Sequence, residues 1–230
     1  MGRPKLRKID PRIDLSRHLR TLDELPRPIS PSALFGREAS LEIEVGSGKG
    51  LFLQREAAAR PETDFLGIEI AGPYARYAAA GLARRGLTNA MIVWGDAVRA
   101  FAEALPNAAA TAVHIYFPDP WWKRRHKKRR VMREDFVRDI ERVLCPGGLL
   151  HFWTDVEEYF HTGVALISSQ TRLAGPFEPP PPQASDSPDY RTHFERRTRL
   201  GGRPVYRAMF RKTSSPSADL GPQGTGCAEG

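Results

Sequence analysis

The stretch LEIEVGSGKGLFLQREAAA, residues 41–59, indicates the class of fold. It opens with a short strand pattern, continues through a turn with glycine at positions 46, 48 and 50, and ends in a helix pattern. A strand, a glycine-rich turn and a helix in this order are typical of nucleotide-cofactor sites in α/β proteins, because glycine lets the backbone approach a ligand closely. The turn alone is a weak signal, since ordinary strand-to-helix connections also use glycine.

The rest of the chain continues the alternation of strand and helix. Strand patterns occupy residues 64–70, 89–96, 111–117 and 149–155, and helix patterns lie between them. This alternation predicts an α/β, Rossmann-like fold: a mostly parallel sheet with right-handed crossovers and helices on both faces. The alternating pattern of residues 204–212 predicts a C-terminal antiparallel strand.

Composition divides the chain into three parts. Residues 1–40 are rich in proline and basic side chains, which predicts a basic, largely extended N-terminal arm. Residues 41–212 form the predicted catalytic domain, with a proline-rich loop at 176–190. Residues 213–230, rich in Ser, Pro and Gly, are expected to be a disordered tail.

The charge balance points to a polyanionic partner. The chain has 35 Lys and Arg against 27 Asp and Glu, a net charge of +8, and the excess is clustered. Nucleic acid is the first candidate and an anionic membrane surface the second. There is no apolar run long enough to span a membrane and no N-terminal secretory pattern, so we predict a cytoplasmic protein without a membrane segment. Its oligomeric state, monomer or homodimer, stays open.

Cysteine and histidine usage predicts no metal site. The two cysteines are too few for a cysteine-based zinc site or a disulfide framework, and the six histidines lack ligand spacing.

Acidic residues lie close to the glycine turn and at the ends of the next strands. Glu42 and Glu44 precede the turn, Glu69 is at the end of the second strand and Asp96 at the end of the third. Carboxylates there could accept hydrogen bonds from ribose hydroxyls or an adenine amino group, as in both nicotinamide and S-adenosylmethionine sites. The spacing G-x-G-x-G and the preceding acids favour S-adenosylmethionine, because acids repel a pyrophosphate but suit a cationic sulfonium and amino group.

A second informative stretch is IYFPDPWWKRRHKKRR, residues 115–130. It joins the end of an apolar strand to Asp119, which lies between two prolines, and then to a dense basic run. A carboxylate at a strand end with a polycation directly after it suggests chemistry on a polyanion.

These motifs together resemble those of one enzyme family. The segments EVGSGKG, FLGIEI, GDA, FPDPWWKRRHKKRR, WTDVEEY and RTHFERRTRLGGRPVY, in this order, are similar to the bacterial tRNA (guanine-N7)-methyltransferase family over residues 41–212. The resemblance implies a class I methyltransferase fold, S-adenosyl-L-methionine as cofactor, and tRNA as partner, with the guanine at position 46 of the variable loop as the target.

The resemblance also implies site residues, with Asp119 as the catalytic residue. The implied cofactor contacts are Glu42, Glu44, Gly46, Gly48, Glu69, Asp96 and Asp119, with the choice between Glu42 and Glu44 left open. The implied substrate contacts are Lys123, Arg125, His126, Lys127, Lys128, Arg129, Arg130, Asp155, Thr192, His193, Phe194 and Glu195.

The chemistry of guanine N7 fits a carboxylate that does not act as a base. N7 already carries an in-plane lone pair, so its methylation requires no deprotonation. Asp119 could accept hydrogen bonds from guanine N1–H and N2–H and offset the charge that develops on the purine. Asp155 or Glu195 could fill the same role.

Two other functions are compatible with the sequence. Methylation of an exocyclic amine is one, because D-P-W-W faintly resembles the turn of amino-methyltransferases. A basic RNA-binding protein without catalysis is the other, although the acids kept at every strand end argue against it.

Overall fold

The computed structural model describes residues 6–121, 130–179 and 192–213, without the side chains of His193 and Arg197. The strands in these ranges are β1 (Leu19–Thr21), β2 (Ser40–Val45), β3 (Thr63–Glu69), β4 (Ala90–Trp94), β5 (Ala110–Tyr116), β6 (Leu144–Thr154), β7 (Ala174–Phe177) and β8 (Tyr206–Arg211). The α-helices are α1 (Pro31–Phe35), α2 (Leu51–Ala59), α3 (Gly72–Arg84), α4 (Ala97–Glu103), α5 (Glu134–Val143), α6 (Glu157–Gln170) and α7 (His193–Leu200).

The eight strands form one sheet in the order β1-β4-β3-β2-β5-β6-β8-β7. All neighbours from β1 to β6 are parallel, whereas β8 is antiparallel to both β6 and β7. The prediction of a mostly parallel sheet with an antiparallel C-terminal strand is therefore confirmed. The chain order reverses between β2 and β5, and ligands of open α/β sheets bind beside the carboxyl ends of the strands at such a point.

Helices cover both faces of this sheet. The apolar side chains of α2 and α3 pack on one face, around Phe52 and Phe65. Those of α4, α5 and α6 pack on the other, around Phe101 and Phe136. Every residue of β3 is buried, as expected for a parallel strand covered on both sides. Because helices cover both faces of the sheet, the carboxyl ends of the strands remain open, and polar side chains come together there.

Close packing explains part of the glycine turn. Gly50 has a φ of +72°, and a Cβ there would lie 2.8 Å from the Cβ of Ala78 in α3. Its missing side chain lets α2 begin directly against α3, which fixes the direction in which the turn leaves β2.

The prediction of an extended arm outside the core is wrong for part of residues 1–40. Strand β1 pairs in parallel with β4 at the sheet edge, and Leu22, Leu25 and Ile29 are buried in the main core. These contacts are made by single apolar residues that stand among the prolines. The overall composition of residues 1–40 does not reveal them. The expected proline-rich loop and C-terminal tail lie largely outside the described residues, so both remain predictions.

Candidate active site

The glycine turn is held against the end of β3 by Glu69. One carboxylate oxygen of Glu69 accepts a hydrogen bond from Gly48 N at 2.8 Å, and the other accepts one from Ala71 N at 2.8 Å. The side chain thus fixes two backbone segments at once. Each carboxylate oxygen can accept a second hydrogen bond, which leaves capacity for ribose hydroxyls. At Gly46 and Gly48, both at positive φ, a Cβ would meet nothing within 4 Å, so the turn borders open space.

Glu44 is a buried carboxyl directly before this turn. The residue is only 2% exposed, and its Oε2 has no hydrogen-bond partner among the described residues. Burial raises the pKa of Glu44 well above 4.5, and the nearby carboxylates of Glu69 and Glu56 raise it further. A buried oxygen without a hydrogen-bond partner raises the free energy of the folded chain unless a donor or a cation reaches it.

Glu42, two residues earlier on the same face of β2, is in a different situation. Its carboxylate accepts hydrogen bonds from both terminal nitrogens of Arg60, at 2.5 and 2.9 Å, and lies 2.9 Å from His114 Nε2. Burial raises the pKa of Glu42, but His114 and Arg60 outweigh it and lower the pKa to about 2. These contacts tie β2 to β5 and α2, so the geometry favours Glu44 over Glu42 as a cofactor contact.

Asp96 follows β4 and begins α4. Its Oδ1 accepts a hydrogen bond from Val98 N at 2.9 Å, which caps the helix, and the residue is exposed. The neighbouring Gly95 N donates to the Glu69 carbonyl at 3.1 Å, so the ends of β3 and β4 lie side by side. Asp96 therefore has a structural role, and its second oxygen remains available beside the position of Glu69.

Asp119 lies in a constrained turn three residues beyond the end of β5. Phe117 and Trp121, which flank the Pro-Asp-Pro segment, have positive φ values of 52° and 42°. Asp119 itself is exposed. Positive φ is unfavourable for aromatic residues, so contacts of the surrounding structure must hold this turn in place.

Arg130 is one of those contacts. Its Nε donates a hydrogen bond to the Pro120 carbonyl at 2.6 Å, and its guanidinium carbon lies 5.1 Å from the ring centroid of Tyr159. Tyr159 belongs to α6 and is 3% exposed. Burial raises the pKa of Tyr159 to about 12, with a smaller contribution from the Asp119 carboxylate. Arg130 thus links the Asp119 turn to α6, a role that its place in a basic run does not indicate.

Asp155, at the end of β6, is paired with an arginine from the C-terminal part of the chain. Its Oδ2 lies 2.9 Å from a terminal nitrogen of Arg203, and only 10% of its side chain is exposed. Helix α6 begins after Val156 without a side-chain cap, so Asp155 does not cap this helix.

The predicted substrate segment at residues 192–195 begins α7. Thr192 Oγ1 accepts a hydrogen bond from Glu195 N at 3.0 Å, and the ring of Phe194 lies 5.0 Å from that of Phe117. Phe194 is 37% exposed. The start of α7 is thereby placed against the turn that carries Asp119.

Glu195 is fully buried in this helix, in contrast to the direct substrate contact that the resemblance implied. Its Oε1 lies 2.6 Å from a terminal nitrogen of Arg199 and 3.3 Å from one of Arg207. The Arg207 guanidinium carbon also lies 4.5 Å from the centroid of a Trp153 ring. Glu195 therefore anchors α7 to β8 and β6. Sequence reasoning missed Arg203 and Arg207 because their partners are distant in the chain.

Six of the predicted substrate contacts fall outside the described residues. They are Lys123, Arg125, His126, Lys127, Lys128 and Arg129, while the backbone but not the side chain of His193 is described. Within residues 6–121, 130–179 and 192–213, no cluster of His, Cys, Asp or Glu is suited to a metal ion. No helix in the same ranges is both long and apolar enough to cross a membrane.

The sequence matches one group of relatives along most of its length. A family model described as "Putative methyltransferase" matches residues 38–208. The chain is 47% identical over 220 residues to a tRNA (guanine-N(7)-)-methyltransferase of Rhodopirellula baltica, covering 93% of this chain and 81% of the relative. It is 38% identical over 195 residues to the Paracidovorax citrulli protein of the same name, covering 84% and 77%.

Solved structures show the same fold at low sequence identity. An antibiotic-related methyltransferase superposes with a TM-score of 0.57 at 18% identity, over 80% of this chain and 94% of the other. The antibiotic-resistance methyltransferase Kmr gives a TM-score of 0.54 at 18% identity, over 85% and 98%. With this fold, and with relatives matched over most of its length, the chain belongs to the tRNA (guanine-N(7)-)-methyltransferase family.

Proposed function

We propose that this protein transfers a methyl group from S-adenosyl-L-methionine to N7 of a guanine in tRNA. The observation that carries the proposal is the convergence of Glu44, Glu69 and Asp119 at the carboxyl ends of adjacent strands, in a chain that belongs to this family. By the resemblance, the guanine is the one at position 46 of the variable loop.

The residues around the glycine turn suit the cofactor. The unpaired, buried Oε2 of Glu44 would receive the cationic amino group of the methionine part. Glu69 would accept the ribose hydroxyls with the lone pairs that its backbone contacts leave unused. Asp96 would accept the adenine amino group with the oxygen that does not cap α4. When bound, S-adenosylmethionine supplies an electrophilic methyl group on a positively charged sulfur.

Asp119 would hold the guanine edge. Its exposed carboxylate, in a turn fixed by Arg130 and packed against α7 through Phe117, would accept hydrogen bonds from guanine N1–H and N2–H. N7 needs no general base, so the contribution of Asp119 is orientation and stabilisation of the positive charge that the purine gains. Orientation of this kind accounts for several kcal/mol of a transfer barrier, roughly 7–11 in favourable cases.

The ion pairs made by Glu195 of α7 and by Arg203, which follows this helix, would support the guanine site. The buried Glu195 positions Arg199 and Arg207, while Arg203 holds Asp155 at the end of β6. We infer that Glu195 acts through these arginines and does not touch the RNA itself. Half-buried Thr192 and Phe194, which is 37% exposed, lie at the start of the helix and are the better candidates for contact with the nucleotide.

The basic segment after Trp121 would bind the phosphate backbone near the target loop. Its predicted contacts are Lys123, Arg125, His126, Lys127, Lys128 and Arg129. RNA binding through such side chains should weaken steeply with salt, since each neutralised phosphate releases counterions. A tRNA substrate and only two cysteines in the chain also support a cytoplasmic location.

The test is transfer of labelled methyl from S-adenosylmethionine to unmodified tRNA, followed by reduction and aniline cleavage, which cuts the chain at N7-methylguanine. Label together with one cut in the variable loop is the expected result. Label without a cut would indicate methylation of an exocyclic amine, and tRNA binding without label would indicate a protein that only binds RNA. Either result would overturn the proposal.

A further inference from the structure

Residues 6–18 of the N-terminal arm pack along α3 and form two shallow crevices with it. Leu6, Arg7 and Ile9 line the first crevice together with Arg76 of α3, and Arg17 lines the second together with Arg84. Each crevice thus has an arginine from the arm on one side and one from α3 on the other. Arg76 and Arg84 are eight residues apart, a distance of about 12 Å along a helix axis.

None of these four arginines forms an ion pair with a carboxylate in the described ranges. Arg7, Arg17, Arg76 and Arg84 are exposed, and their side chains make no ion pair or hydrogen bond with any other residue in the described ranges. Most other arginines of the fold are engaged: carboxylates pair with Arg27, Arg37, Arg60, Arg99, Arg133, Arg138, Arg142, Arg199, Arg203 and Arg207. Three other exposed arginines of the described ranges also lack such a partner, namely Arg172, Arg196 and Arg211, but the remaining six lie in the arm, in β1 and in or directly after α3: Arg7, Arg17, Arg20, Arg76, Arg84 and Arg85.

The two acids of this part of the arm, Asp10 and Asp14, offset only part of this positive charge. Asp14, which also lines the second crevice, has its two carboxylate oxygens hydrogen-bonded to Ser16 N at 2.8 Å and Ser16 Oγ at 2.9 Å. Asp10 pairs with Arg12 of the arm. Exposed Lys8 and Arg85 lie in the same two segments and add to the positive charge.

The face is continuous with the proposed active site. Ile70, which directly follows Glu69, lines the first crevice and is 66% exposed. Beside it, the indole of Trp94 at the end of β4 is 46% exposed, and its Nε1 donates to the Ile70 carbonyl at 3.3 Å. An exposed indole in a crevice that is also lined by two arginines is a surface on which a nucleobase can stack while neighbouring phosphates are neutralised.

We propose that the arm and α3 form a second tRNA-binding surface, which contacts the phosphodiester backbone away from the nucleotide that is methylated. The proposal rests on the proposed function, because it takes tRNA as the substrate. A tRNA is larger than this domain, so its backbone can reach from the strand ends onto an adjoining helix. The surface fixes the position of the RNA as a whole, and Asp119 fixes the reacting base.

The test compares two double variants with equal loss of charge. Arg76→Gln/Arg84→Gln removes two arginines from the proposed surface, and Arg172→Gln/Arg211→Gln removes two exposed ones beside β7, at the opposite edge of the sheet. The affinity of each full-length protein for unmodified tRNA is measured from about 50 to 300 mM salt, and cofactor affinity is measured by calorimetry. Thermal denaturation checks that both variants fold.

We expect the α3 variant to bind tRNA about tenfold more weakly at low salt. Its log–log salt slope should be smaller by about one to two, because each lost phosphate contact removes roughly 0.7–0.9 from the slope. The control variant should stay within about twofold of the natural protein, and both should bind S-adenosylmethionine normally. Equal tRNA affinity and slope in the two variants would overturn the proposal.

An anionic membrane surface is the competing partner for such a face. Vesicles with about one-third phosphatidylserine test it: binding of the natural protein that the α3 variant loses, with its tRNA affinity intact, would assign the face to lipid. Failure of the natural protein to methylate tRNA would instead overturn the proposed function, so the two failures are distinguishable.

Discussion

Arg130 Nε donates a hydrogen bond to the Pro120 carbonyl at 2.6 Å, across the segment that holds the predicted RNA contacts. The same guanidinium packs on Tyr159. Arg130 therefore closes the ends of this segment onto each other beside Asp119. A guanidinium group can bind phosphate, but the guanidinium of Arg130 is hydrogen-bonded to the backbone of the turn.

Replacing Arg130 should consequently affect turnover more than RNA affinity. For Arg130→Gln we expect kcat to fall about tenfold to a hundredfold, because small misplacement of an orienting group is costly in transfer reactions. The Kd for tRNA and its salt slope should remain close to those of the natural protein. Arg130→Lys, which keeps the charge and a donor but not the planar stacking group, should recover part of kcat. A slope smaller by about one with unchanged kcat would identify Arg130 as a phosphate contact.

Glu44→Gln should stabilise the protein without ligand and weaken cofactor binding. Because burial raises the pKa of Glu44, the folded chain holds this proton above pH 4.5, where the unfolded chain has released it. The free energy of unfolding therefore decreases as pH rises above 4.5, and the uncharged amide removes that decrease.

Urea denaturation of both proteins from pH 4.5 to 8 measures this difference. The advantage of Glu44→Gln should grow with pH, while calorimetry should show S-adenosylmethionine binding at least about tenfold weaker, as expected for loss of a buried charged hydrogen bond. Unchanged cofactor affinity in a folded variant would rule out Glu44 as the contact for the amino group.

The contribution of Glu42 to the free energy of unfolding should depend on pH in the opposite direction. Hydrogen bonds from His114 and Arg60 overcome its burial and lower the pKa to about 2, so its contribution is complete above pH 4.5 and is lost as pH falls toward 2. The difference between the ordinary pKa of 4.5 and the lowered pKa of about 2 corresponds to a contribution of about 3 kcal/mol to the free energy of unfolding at neutral pH. Glu42→Gln should lower the melting temperature at pH 7 far more than at pH 3. Glu62→Gln, an exposed carboxylate after α2, is the control and should change neither value.

Asp119→Asn tests the orienting carboxylate directly. The amide presents a donor where guanine offers N1–H and N2–H, so we expect kcat to fall about a hundredfold to a thousandfold, in line with loss of a preorganised electrostatic group. Cofactor affinity should change by no more than about threefold. The melting temperature should be unchanged, because Asp119 is exposed. Turnover near that of the natural protein would transfer the role to Asp155.

The parts of the fold predicted from sequence are those with local signals. The strand and helix alternation, the turn around Gly46 and Gly48, and the antiparallel strand β8 all follow from periodicity and glycine spacing within short windows. Strand β1 was missed because its three residues have no pattern of their own and gain stability only by pairing with β4.

The residues of the candidate site also divide into those with a local sequence signal and those without one. The positions of Glu69, Asp96 and Asp119 at strand ends could be predicted, because each follows an apolar run. Sequence left Glu42 and Glu44 equivalent, and only the positions of Arg60 and His114, distant along the chain, distinguish them. The burial of Glu195 was likewise hidden, since its partner Arg207 lies on β8.

The proposed acceptor of the methyl group is N7 of a tRNA guanine. Two tRNAs test it most directly: one natural in sequence but unmodified, and one identical except for 7-deazaguanine at position 46, where a C–H replaces N7. We predict that the protein labels the first tRNA from labelled S-adenosylmethionine and leaves the second unlabelled, while it binds both with similar affinity. Equal labelling of the two would contradict the account, because the methyl group would then be going to another atom or another nucleotide.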